Sequence, residues 1–479
     1  MPLTVLTDTD VRRLLHQLSR QDILDLQQSL ADGLHYYSTS TDEDSNACCS
    51  SYQPMRTALK RNDGQTTLFM PASSNDGIGF KVVTLASSDA TKSSDISSIR
   101  SSLKTTSLSD STQSSSSFDQ PQSLASSQST TPKGTLQLLD KAGGPRALIN
   151  AEEITAFRTA LASTMLFKKR HNVHDVVVFG AGKQAYWHIR LALMLRSTDI
   201  HHLNIINRDF ERVHHLLQAL YNPDEQPTKF DPSTTKIPSY RKEGEGLHRP
   251  KIQILTPSHG EYERLLKSTI RASSVILCTT PSLTPLFPAP YLTNPEGRKK
   301  GRYVAAIGSY KPDMCEIHPD ILRQNVTPDH GRHFHKHASQ GGAVVVDSVE
   351  ACLKEAGEII QAGLSPSEVV EIGELVMLKR DAEKRRSECH AQKRMIEEGL
   401  DDDGVELGEA PSTKNKNRGS NKSRTDDHGD KEHQSLIDWL QKGNVIYKSV
   451  GLGLMDVVVG SDLVRLADER GIGTRIDNF

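Results

Sequence analysis

The residue run with the clearest chemical meaning is Gly180-Ala181-Gly182-Lys183-Gln184-Ala185, which has the form G-x-G-x-x-A. It follows an apolar run at residues 175–179 that is typical of a buried strand, and it precedes a predicted helix at residues 184–196. In this context the first glycine permits a tight turn, the second lets the backbone approach a pyrophosphate, and the helix N-terminus presents unpaired N–H groups to the phosphates. The run therefore predicts a dinucleotide site that includes Gly180, Gly182, Lys183 and Gln184. The alternative is a glycine-rich turn without a ligand.

The end of the next predicted strand, residues 202–207, bears on the identity of the dinucleotide. A carboxylate at this end would hold the ribose hydroxyls of NAD, but the sequence has Asn207 followed by Arg208. An arginine can pair with the 2′-phosphate of NADP, and a strand end without a carboxylate does not repel that phosphate. We therefore predict NADP(H) as the cofactor, with Asn207 and Arg208 beside it. NAD(H) stays open, because Arg208 can instead be a solvated loop charge.

Hydroxyl side chains near two other strand ends are further candidates for the cofactor site. Thr279 and Thr280 close a predicted strand at residues 274–279, and Ser449 lies near the last strand of the chain. Each can line the cofactor or cap a strand-to-loop turn, and the sequence does not separate these roles.

The elements that must position these residues alternate from residue 175 onward. Strands are predicted at residues 251–255, 303–307 and 343–347, in addition to those above, and helices at residues 210–221 and 261–269. Nearly continuous apolar strands joined by helices indicate a parallel sheet covered on both faces. The prediction is an α/β fold with a Rossmann-type, doubly wound sheet.

The first part of the chain has a different pattern, which predicts a mixed α+β domain. Helical spacing of leucines at residues 11–30 is followed by strands at residues 67–70, 80–84, 134–139 and 146–149. A helix is predicted at residues 151–167, with Asn150 as its N-cap and Glu153 completing a capping box.

Four tracts interrupt these elements and explain a hydrophobic content of 35%, which is below the roughly 45% of ordinary globular chains. Residues 87–131 are dominated by serine, and the other tracts are polar or charged and cover residues 222–250, 325–340 and 380–432. We predict that all four are disordered insertions. The third contains His330, His333, His335 and His337, whose spacing is not that of a structured zinc site, so we expect no metal.

Composition also argues against several classes of function. The formal net charge of -2 offers no basic excess for binding nucleic acid by bulk charge. No run of about 18 apolar residues predicts a membrane span. The first 19 residues carry interrupting charges that a secretory signal would lack. Six cysteines in 479 residues are sparse, which favours a reducing compartment, and we expect a cytoplasmic protein.

Several motifs, in their order along the chain, resemble the ornithine cyclodeaminase/mu-crystallin family. They are Gln53-Pro54-Met55-Arg56-Thr57, Leu68-Phe69-Met70-Pro71, Lys81-Val82-Val83-Thr84, Ile154-Thr155-Ala156-Phe157-Arg158-Thr159-Ala160, the Gly180 turn, Ile307-Gly308-Ser309-Tyr310-Lys311-Pro312, Val345-Val346-Asp347-Ser348 and Lys448-Ser449-Val450-Gly451. They span most of the chain outside the four tracts.

The resemblance implies both an architecture and a site. It implies a substrate and dimerisation domain at residues 1–158, completed by residues 456–479, a Rossmann domain at residues 159–455, and a homodimer. It also implies that Arg56 and Arg158 hold the carboxylate of an imino or amino acid substrate and that Lys81 lies near the reacting carbon and nitrogen. Guanidinium groups suit the first role and a desolvated lysine the second. The alternatives are salt bridges for the arginines and a solvated strand residue for Lys81.

One residue departs from the cyclodeaminase pattern. The resemblance places Tyr310 where cyclodeaminases carry an aspartate base, and a tyrosine with a pKa near 10 is a poor base at neutral pH. Asp313 lies three residues further along the chain and is the candidate to replace that aspartate. The mu-crystallin-like branch also lacks that aspartate and reduces cyclic ketimines with NADPH, so we predict this activity, with Tyr310 in the site. An NAD-dependent cyclodeaminase or amino-acid dehydrogenase, and a non-catalytic NADPH-binding protein, remain as alternatives.

Overall fold

The computed structural model describes residues 2–39, 53–62, 65–85, 132–222, 246–327, 343–375, 436–477 and 479. The strands are β1 Leu3–Leu6, β2 Thr57–Lys60, β3 Thr66–Ser74, β4 Gly77–Leu85, β5 Lys133–Leu139, β6 Pro145–Asn150, β7 Asp175–Phe179, β8 His202–Ile206, β9 Lys251–Leu255, β10 Val275–Cys278, β11 Tyr303–Ala306, β12 Val344–Val346, β13 Val369–Glu371, β14 Val445–Lys448 and β15 Thr474–Ile476. The helices are α1 Asp8–His16, α2 Arg20–Thr39, α3 Ala151–Phe167, α4 Lys183–Leu195, α5 Phe210–Tyr221, α6 Tyr262–Ala272, α7 Pro290–Thr293, α8 Pro319–Val326, α9 Val349–Glu355, α10 Gly357–Ala362 and α11 Gly453–Arg470.

The first sheet is mixed and has the strand order β15-β1-β6-β5-β4-β3-β2. All its neighbouring pairs are antiparallel except β1 and β6. Residues alternate between its faces, so Lys81 and Val83 of β4 are buried under helix α11, while Ile78 and Phe80 lie on the outer face. Helices α1, α2, α3 and α11 pack in one apolar core with the inner face of this sheet.

The second sheet is entirely parallel and has the order β13-β12-β14-β11-β10-β7-β8-β9. Both of its faces are buried, since Val176 and Val178 of β7 pack in one apolar core and Val177 and Phe179 in another. The chain runs outward from β7 to β9 and then returns to β10 on the other side of β7. The carboxyl ends of β7 and β10 therefore form a topological switch point, where ligands of such sheets bind.

These observations confirm the predicted α/β fold with a doubly wound parallel sheet and a mixed second region. Both proposed domain boundaries fall inside helices, 158/159 in α3 and 455/456 in α11, and the division itself stays a prediction. The serine tract lies in the sequence between β4 and β5, which form an antiparallel pair. Most of the four predicted insertions, including the four histidines, lie outside the described residues. The predicted start of the third is wrong, because Asn325 and Val326 belong to α8 and Val326 is buried.

The predicted capping box at the start of α3 is wrong. Asn150 does cap the helix, but its side chain accepts from the backbone N–H of Glu152. The Glu153 carboxylate is engaged elsewhere, because it accepts from the Trp187 indole and pairs with Lys183. Glu153 therefore ties α3 to α4 instead of closing its own helix terminus.

Within the described ranges, no helix has the length and apolar character needed to cross a bilayer.

Candidate active site

A cavity lies between the inner face of the first sheet, helix α3 and the carboxyl ends of β7, β10, β11 and β14. The structure brings most of the predicted site residues to this cavity: Arg56, Lys81, Arg158, Gly182, Lys183, Gln184, Thr279, Tyr310 and Ser449. Gly180 and Thr280 do not line the cavity themselves, but residues next to them in the sequence, such as Thr279 and Pro281, do. Asn207 and Arg208 are not among its lining residues.

Two cations of the cavity wall belong to a buried cluster of three charges. Lys81 donates from Nζ to Oδ2 of Asp456 at 2.6 Å, and Arg158 donates from Nε to Oδ1 of the same carboxylate at 3.1 Å. Asp456 is fully buried, and the two cations are 2% and 4% exposed. One carboxylate therefore fixes the positions of both cations, which come from strand β4 and helix α3.

Burial also changes the acidity of this lysine. It lowers the pKa of Lys81 to about 8, an effect that Asp456 opposes and Arg158 reinforces. Lys81 is thus mostly protonated at neutral pH, yet it releases a proton more readily than a solvated lysine. Such a group can donate a proton to a ligand nitrogen in the cavity.

The second arginine, Arg56, belongs to the segment before β2 and is held by the Rossmann-type part of the chain. Its Nε donates to Oε1 of Glu355 at 2.9 Å, and its Nη2 donates to Oε2. Glu355 is the last residue of α9. Arg56 therefore lines the cavity while ion-paired to a residue 299 positions later in the sequence.

Tyr310 lines the cavity as predicted, but it is poorly suited to act as a base. Burial raises its pKa above the ordinary value, and Asp313 raises it further. Asp313 itself is exposed and is not among the residues of the cavity wall. The candidate replacement for the missing aspartate therefore lies outside the site.

The glycine turn has the geometry that a dinucleotide requires. Gly180 has φ +109°, and a Cβ on it would lie 2.8 Å from Oγ1 of Thr279, so only glycine fits between β7 and β10. A Cβ on Gly182 would meet none of the described atoms within 4 Å. Gly182 caps α4 without a side-chain hydrogen bond, which leaves the first N–H groups of this helix open to an anion.

Gln184 supplies a second sign that a ligand belongs here. It lines the cavity, and among the described residues its buried side-chain oxygen has no hydrogen-bond partner. Buried polar groups are nearly always satisfied in native proteins. Together with the uncapped helix, this oxygen indicates that a polar molecule fits at the start of α4.

Lys183, by contrast, is already engaged by protein groups. Its Nζ lies 2.8 Å from Oε1 of Glu152 and 2.7 Å from Oε2 of Glu153. Both carboxylates come from the first turn of α3. A cofactor phosphate would have to compete with them for this lysine.

The three hydroxyl residues are also held by neighbouring groups. Thr279 donates to the carbonyl of Phe179 at 2.6 Å, and Ser449 donates to Oδ2 of Asp347 at 2.7 Å. The backbone N–H of Thr280 donates to Oε1 of Glu316 at 2.7 Å. Thr279 and Ser449 therefore both brace strand ends and line the cavity, so the two roles proposed for them are compatible.

Asn207 and Arg208 follow β8, the strand next to the glycine turn. The Gly180 N–H donates to the carbonyl of Ile206 at 3.0 Å, which joins the end of β8 to this turn. Asp209, the nearest carboxylate in the chain, caps α5 by accepting from the N–H groups of Glu211 and Arg212. This end of β8 is therefore adjacent to the dinucleotide turn, and its one carboxylate is bound to a helix terminus.

A second buried polar cluster supports the loop that carries Tyr310. Glu316 accepts from the N–H groups of Thr280 and Gly308, at 2.7 and 2.6 Å. Burial raises the pKa of Glu316 to about 7. Glu358 pairs with Lys448, and both contact the Ser309 hydroxyl. These groups hold the ends of β10, β11 and β14 in register behind the cavity.

The described thiols are not part of this chemistry. Cys278, Cys315 and Cys352 are free and buried. Burial raises the pKa of Cys315 to about 12 and that of Cys278 well above its ordinary value. Both thiols are therefore held in the protonated, unreactive form at neutral pH.

Sequence reasoning missed three important carboxylates: Asp456, Glu355 and Glu316. Asp456 carried a signal, since it is the one charge within the apolar run Leu454-Met455-Asp456-Val457-Val458-Val459. A lone acid in such a run is buried and needs a cationic partner. Glu355 and Glu316 lie among other polar residues, and their sequence context carries no comparable signal.

No family model matches the chain. It is 28% identical over 250 residues to an uncharacterized protein of Saccharomyces cerevisiae, a match that covers 48% of this chain and 59% of that protein. The chain thus spans less than two thirds of this relative. It is 25% identical over 350 residues to Delta(1)-pyrroline-2-carboxylate reductase of Bacillus cereus, and this match covers 72% of the chain and 74% of the reductase.

Solved structures show similarity over nearly the whole chain. Thermococcus litoralis Delta(1)-pyrroline-2-carboxylate reductase, in complex with NADH and L-proline, has a TM-score of 0.57 and 16% identity, covering 99% of this chain and all of that one. A probable ornithine cyclodeaminase from Bordetella pertussis has a TM-score of 0.54 and 17% identity, covering 98% and 99%. At these identities the likeness shows the shared fold. Together with the reductase relatives, it confirms the resemblance drawn from the sequence motifs.

Proposed function

We propose that this chain, which belongs to the ornithine cyclodeaminase/mu-crystallin family, is an NADP(H)-dependent oxidoreductase that reduces the C=N bond of a cyclic ketimine carboxylate. The observation that carries the proposal is the Lys81–Asp456–Arg158 cluster, which faces the same cavity as the N-terminus of α4. A proton donor and a carboxylate-binding group are thereby brought beside a dinucleotide site. The reductase names among the relatives support the same substrate class.

Substrate binding is assigned to the two arginines. The guanidinium groups of Arg56 and Arg158 both line the cavity and can hold one carboxylate from two sides. Asp456 and Glu355 fix these guanidinium groups before the substrate arrives. The α-carbon next to the carboxylate is thereby held in a defined position, which lowers the entropic cost of reaction.

Proton transfer is assigned to Lys81. When bound, NADPH supplies a hydride to the imine carbon. Lys81 donates a proton from Nζ to the imine nitrogen, so that the product is a cyclic amino acid and Lys81 is left neutral. A pKa of about 8 makes this donation favourable near neutral pH, and Asp456 keeps the lysine charged until the reaction occurs.

The cofactor preference rests on the end of β8. The backbone N–H groups of Gly182, Lys183 and Gln184 would hold the pyrophosphate at the start of α4. Asn207 and Arg208 would contact the ribose that carries the 2′-phosphate. Asp209 is committed to capping α5, so its carboxylate is held at the helix terminus and away from the ribose hydroxyls that such an acid binds in NAD sites. This arrangement supports NADP(H) over NAD(H).

Two features favour a reductase over a cyclodeaminase. The raised pKa of Tyr310 keeps its hydroxyl protonated at neutral pH, so that little tyrosinate is present to act as a base, and Asp313 is exposed outside the cavity. Ring closure of ornithine needs a base in this position, whereas imine reduction needs only the acid that Lys81 provides.

The outer face of the first sheet supports a homodimer. Exposed apolar residues share this face on four strands: Leu59, Phe69, Ile78, Phe80 and Leu148. A patch of this kind on a sheet marks an interaction surface. We therefore propose that two copies associate through this face, which leaves the cavities on the inner faces accessible.

The test is the initial rate of NADPH oxidation with Delta(1)-pyrroline-2-carboxylate, with NADH measured in parallel. We expect turnover that prefers NADPH and that Lys81→Met abolishes, while Lys60→Met on the exposed strand β2 retains it. Tight NADPH binding without turnover of any imino acid would instead establish a binding protein. Conversion of ornithine with NAD and release of ammonia would establish a cyclodeaminase.

A further inference from the structure

The Arg56–Glu355 pair joins the two halves of the site. Arg56 donates two hydrogen bonds from one edge of its guanidinium, one from Nε and one from Nη2, and each carboxylate oxygen of Glu355 accepts one of them. The side chains are only 16% and 22% exposed, so the pair is partly shielded from solvent. A bidentate pair in this setting holds a guanidinium in one orientation.

The pair limits what else Arg56 can bind. A guanidinium has five N–H groups in a fixed planar arrangement. It can therefore donate two parallel hydrogen bonds to one carboxylate only from a pair of adjacent nitrogens, which we call an edge. Glu355 occupies the Nε edge and leaves the outer edge, between Nη1 and Nη2, for a ligand. Arg158 is similarly restricted, since Nε binds Asp456 and Nη1 lies 3.3 Å from the sulfur of Met455.

Glu355 lies behind Arg56 when viewed from the catalytic cavity. Arg56 lines both this cavity and an adjoining smaller one, whereas Glu355 lines the smaller one. The carboxylate therefore neutralises Arg56 and holds it without occupying the space where a substrate would bind.

We propose that Glu355 is a positioning residue that restricts the site to substrates with a single carboxylate. This inference rests on the proposed imino acid reductase function. A first carboxylate can take the outer edge of Arg56. A second carboxylate finds the Nε edge filled and the charge of Arg56 already neutralised by Glu355. Selectivity thus comes from an occupied donor edge and a neutralised cation, in addition to cavity shape.

The test compares two planar analogues of a cyclic imino acid, pyrrole-2-carboxylate and pyrrole-2,5-dicarboxylate. Their dissociation constants are measured by calorimetry on the full chain with NADP⁺ bound. We expect the wild type to prefer the monocarboxylate. Glu355→Gln, which removes the charge and one acceptor, should reduce this preference by about tenfold or more, equivalent to about 1.4 kcal/mol. Glu355→Ala is a second variant with the same expectation.

The matched control is Glu350→Gln. Glu350 is on the same helix and lines the same smaller cavity, but it pairs with Lys354 at 2.7 Å. It should leave the preference unchanged, which separates the specific pair from a general change of charge. NADP⁺ affinity reports on the folding of each variant.

Two results would overturn the inference. An unchanged preference in both Glu355 variants, with imine reduction intact, would refute the role of Glu355 and leave the proposed function standing. Failure of the wild type to bind either analogue or to reduce any ketimine would instead refute the proposed function, and this inference with it.

Discussion

Gly451 lies directly against the guanidinium of Arg158, because a Cβ on Gly451 would stand 2.7 Å from Nη2. Gly451 also has φ +89°, and its N–H donates to Oδ2 of the buried Asp347 at 2.6 Å. The loop after β14 thus closes over Arg158 with no room for a side chain. The position of Arg158, the arginine that we propose binds the substrate, therefore depends on a glycine at residue 451.

Gly451→Ala should therefore weaken substrate binding by displacing Arg158. We expect the KM for the ketimine to rise by about tenfold or more, along with a loss of about 1–2 kcal/mol in the free energy of unfolding from backbone strain. The control is Gly363→Ala, which has φ +69° but no described atom within 4 Å of its Cβ. It should show the stability loss without the KM change. Equal KM values in the two variants would refute this steric role of Gly451.

Asp456→Asn should shift the pH dependence of imine reduction. The wild-type rate should fall as pH rises through about 8, because Lys81 must be protonated to act as the acid. Removing the Asp456 charge lowers the pKa of Lys81 further, so the fall should begin on the order of one pH unit lower. The measurement is the pH profile of kcat from pH 6 to 9.5.

A second effect of this variant must be separated from the first. Asp456→Asn leaves two buried cations with no full counter-charge, which should cost about 3–5 kcal/mol of stability. Glu469→Gln on the exposed side of the same helix is the control for both measurements. A profile that matches the wild type would exclude Lys81 as the proton donor.

Arg208→Asp should reverse the cofactor preference. The new carboxylate would repel the 2′-phosphate of NADPH and could accept from the ribose hydroxyls of NADH. We expect NADPH affinity to fall by about 10- to 100-fold, an electrostatic loss of about 1.4–2.7 kcal/mol, measured by fluorescence titration. Arg212→Asp, in the first turn of α5, is the control. The assignment of Arg208 fails if the preference stays as in the wild type.

Phe80→Glu should dissociate the proposed homodimer. It places a charge in the middle of the exposed apolar face of the first sheet, where burial in an interface would be costly. Sedimentation velocity should report a dimer for the wild type and a monomer for this variant. Ile360→Glu, at an equally exposed apolar residue on α10, should remain a dimer. A monomeric wild type would contradict the proposal.

Much of the second sheet could be predicted from the sequence, because its strands are continuous apolar runs between helices. The predicted strands at residues 175–179 and 251–255 match β7 and β9, and the others differ by a residue or two at their ends. The glycine turn was predictable for the same reason, since its spacing follows from contacts within one strand–turn–helix unit.

The first sheet was harder to predict at its edges. Strand β2 is exposed along its whole length, and β15 has only three exposed residues, so neither has the alternation that marks a half-buried strand. Strand β1 has four residues and depends on pairing with Ile476 and Ala147, which lie far along the chain. Such strands are determined by tertiary pairing instead of local sequence.

The candidate site also has a part that the sequence predicts and a part that depends on tertiary contacts. Arg56, Lys81, Arg158 and Tyr310 were predictable through motifs, but their counter-charges were not. Glu355 meets Arg56 across 299 positions, and Asp456 meets Lys81 across 375. No local pattern encodes such partners, and only the apolar surroundings of Asp456 marked it as unusual.

The location of Asp456 in α11 has a consequence for synthesis of the chain. Lys81 and Arg158 leave the ribosome early, but their shared counter-charge follows only after most of the parallel sheet has been made. Since domains tend to fold as they emerge, the nucleotide-binding region can form while the nascent chain still has two uncompensated cations. The pocket that we assign to the substrate would therefore be completed last, and a chain stalled before residue 456 would have the parallel sheet but lack the counter-charge of Lys81 and Arg158.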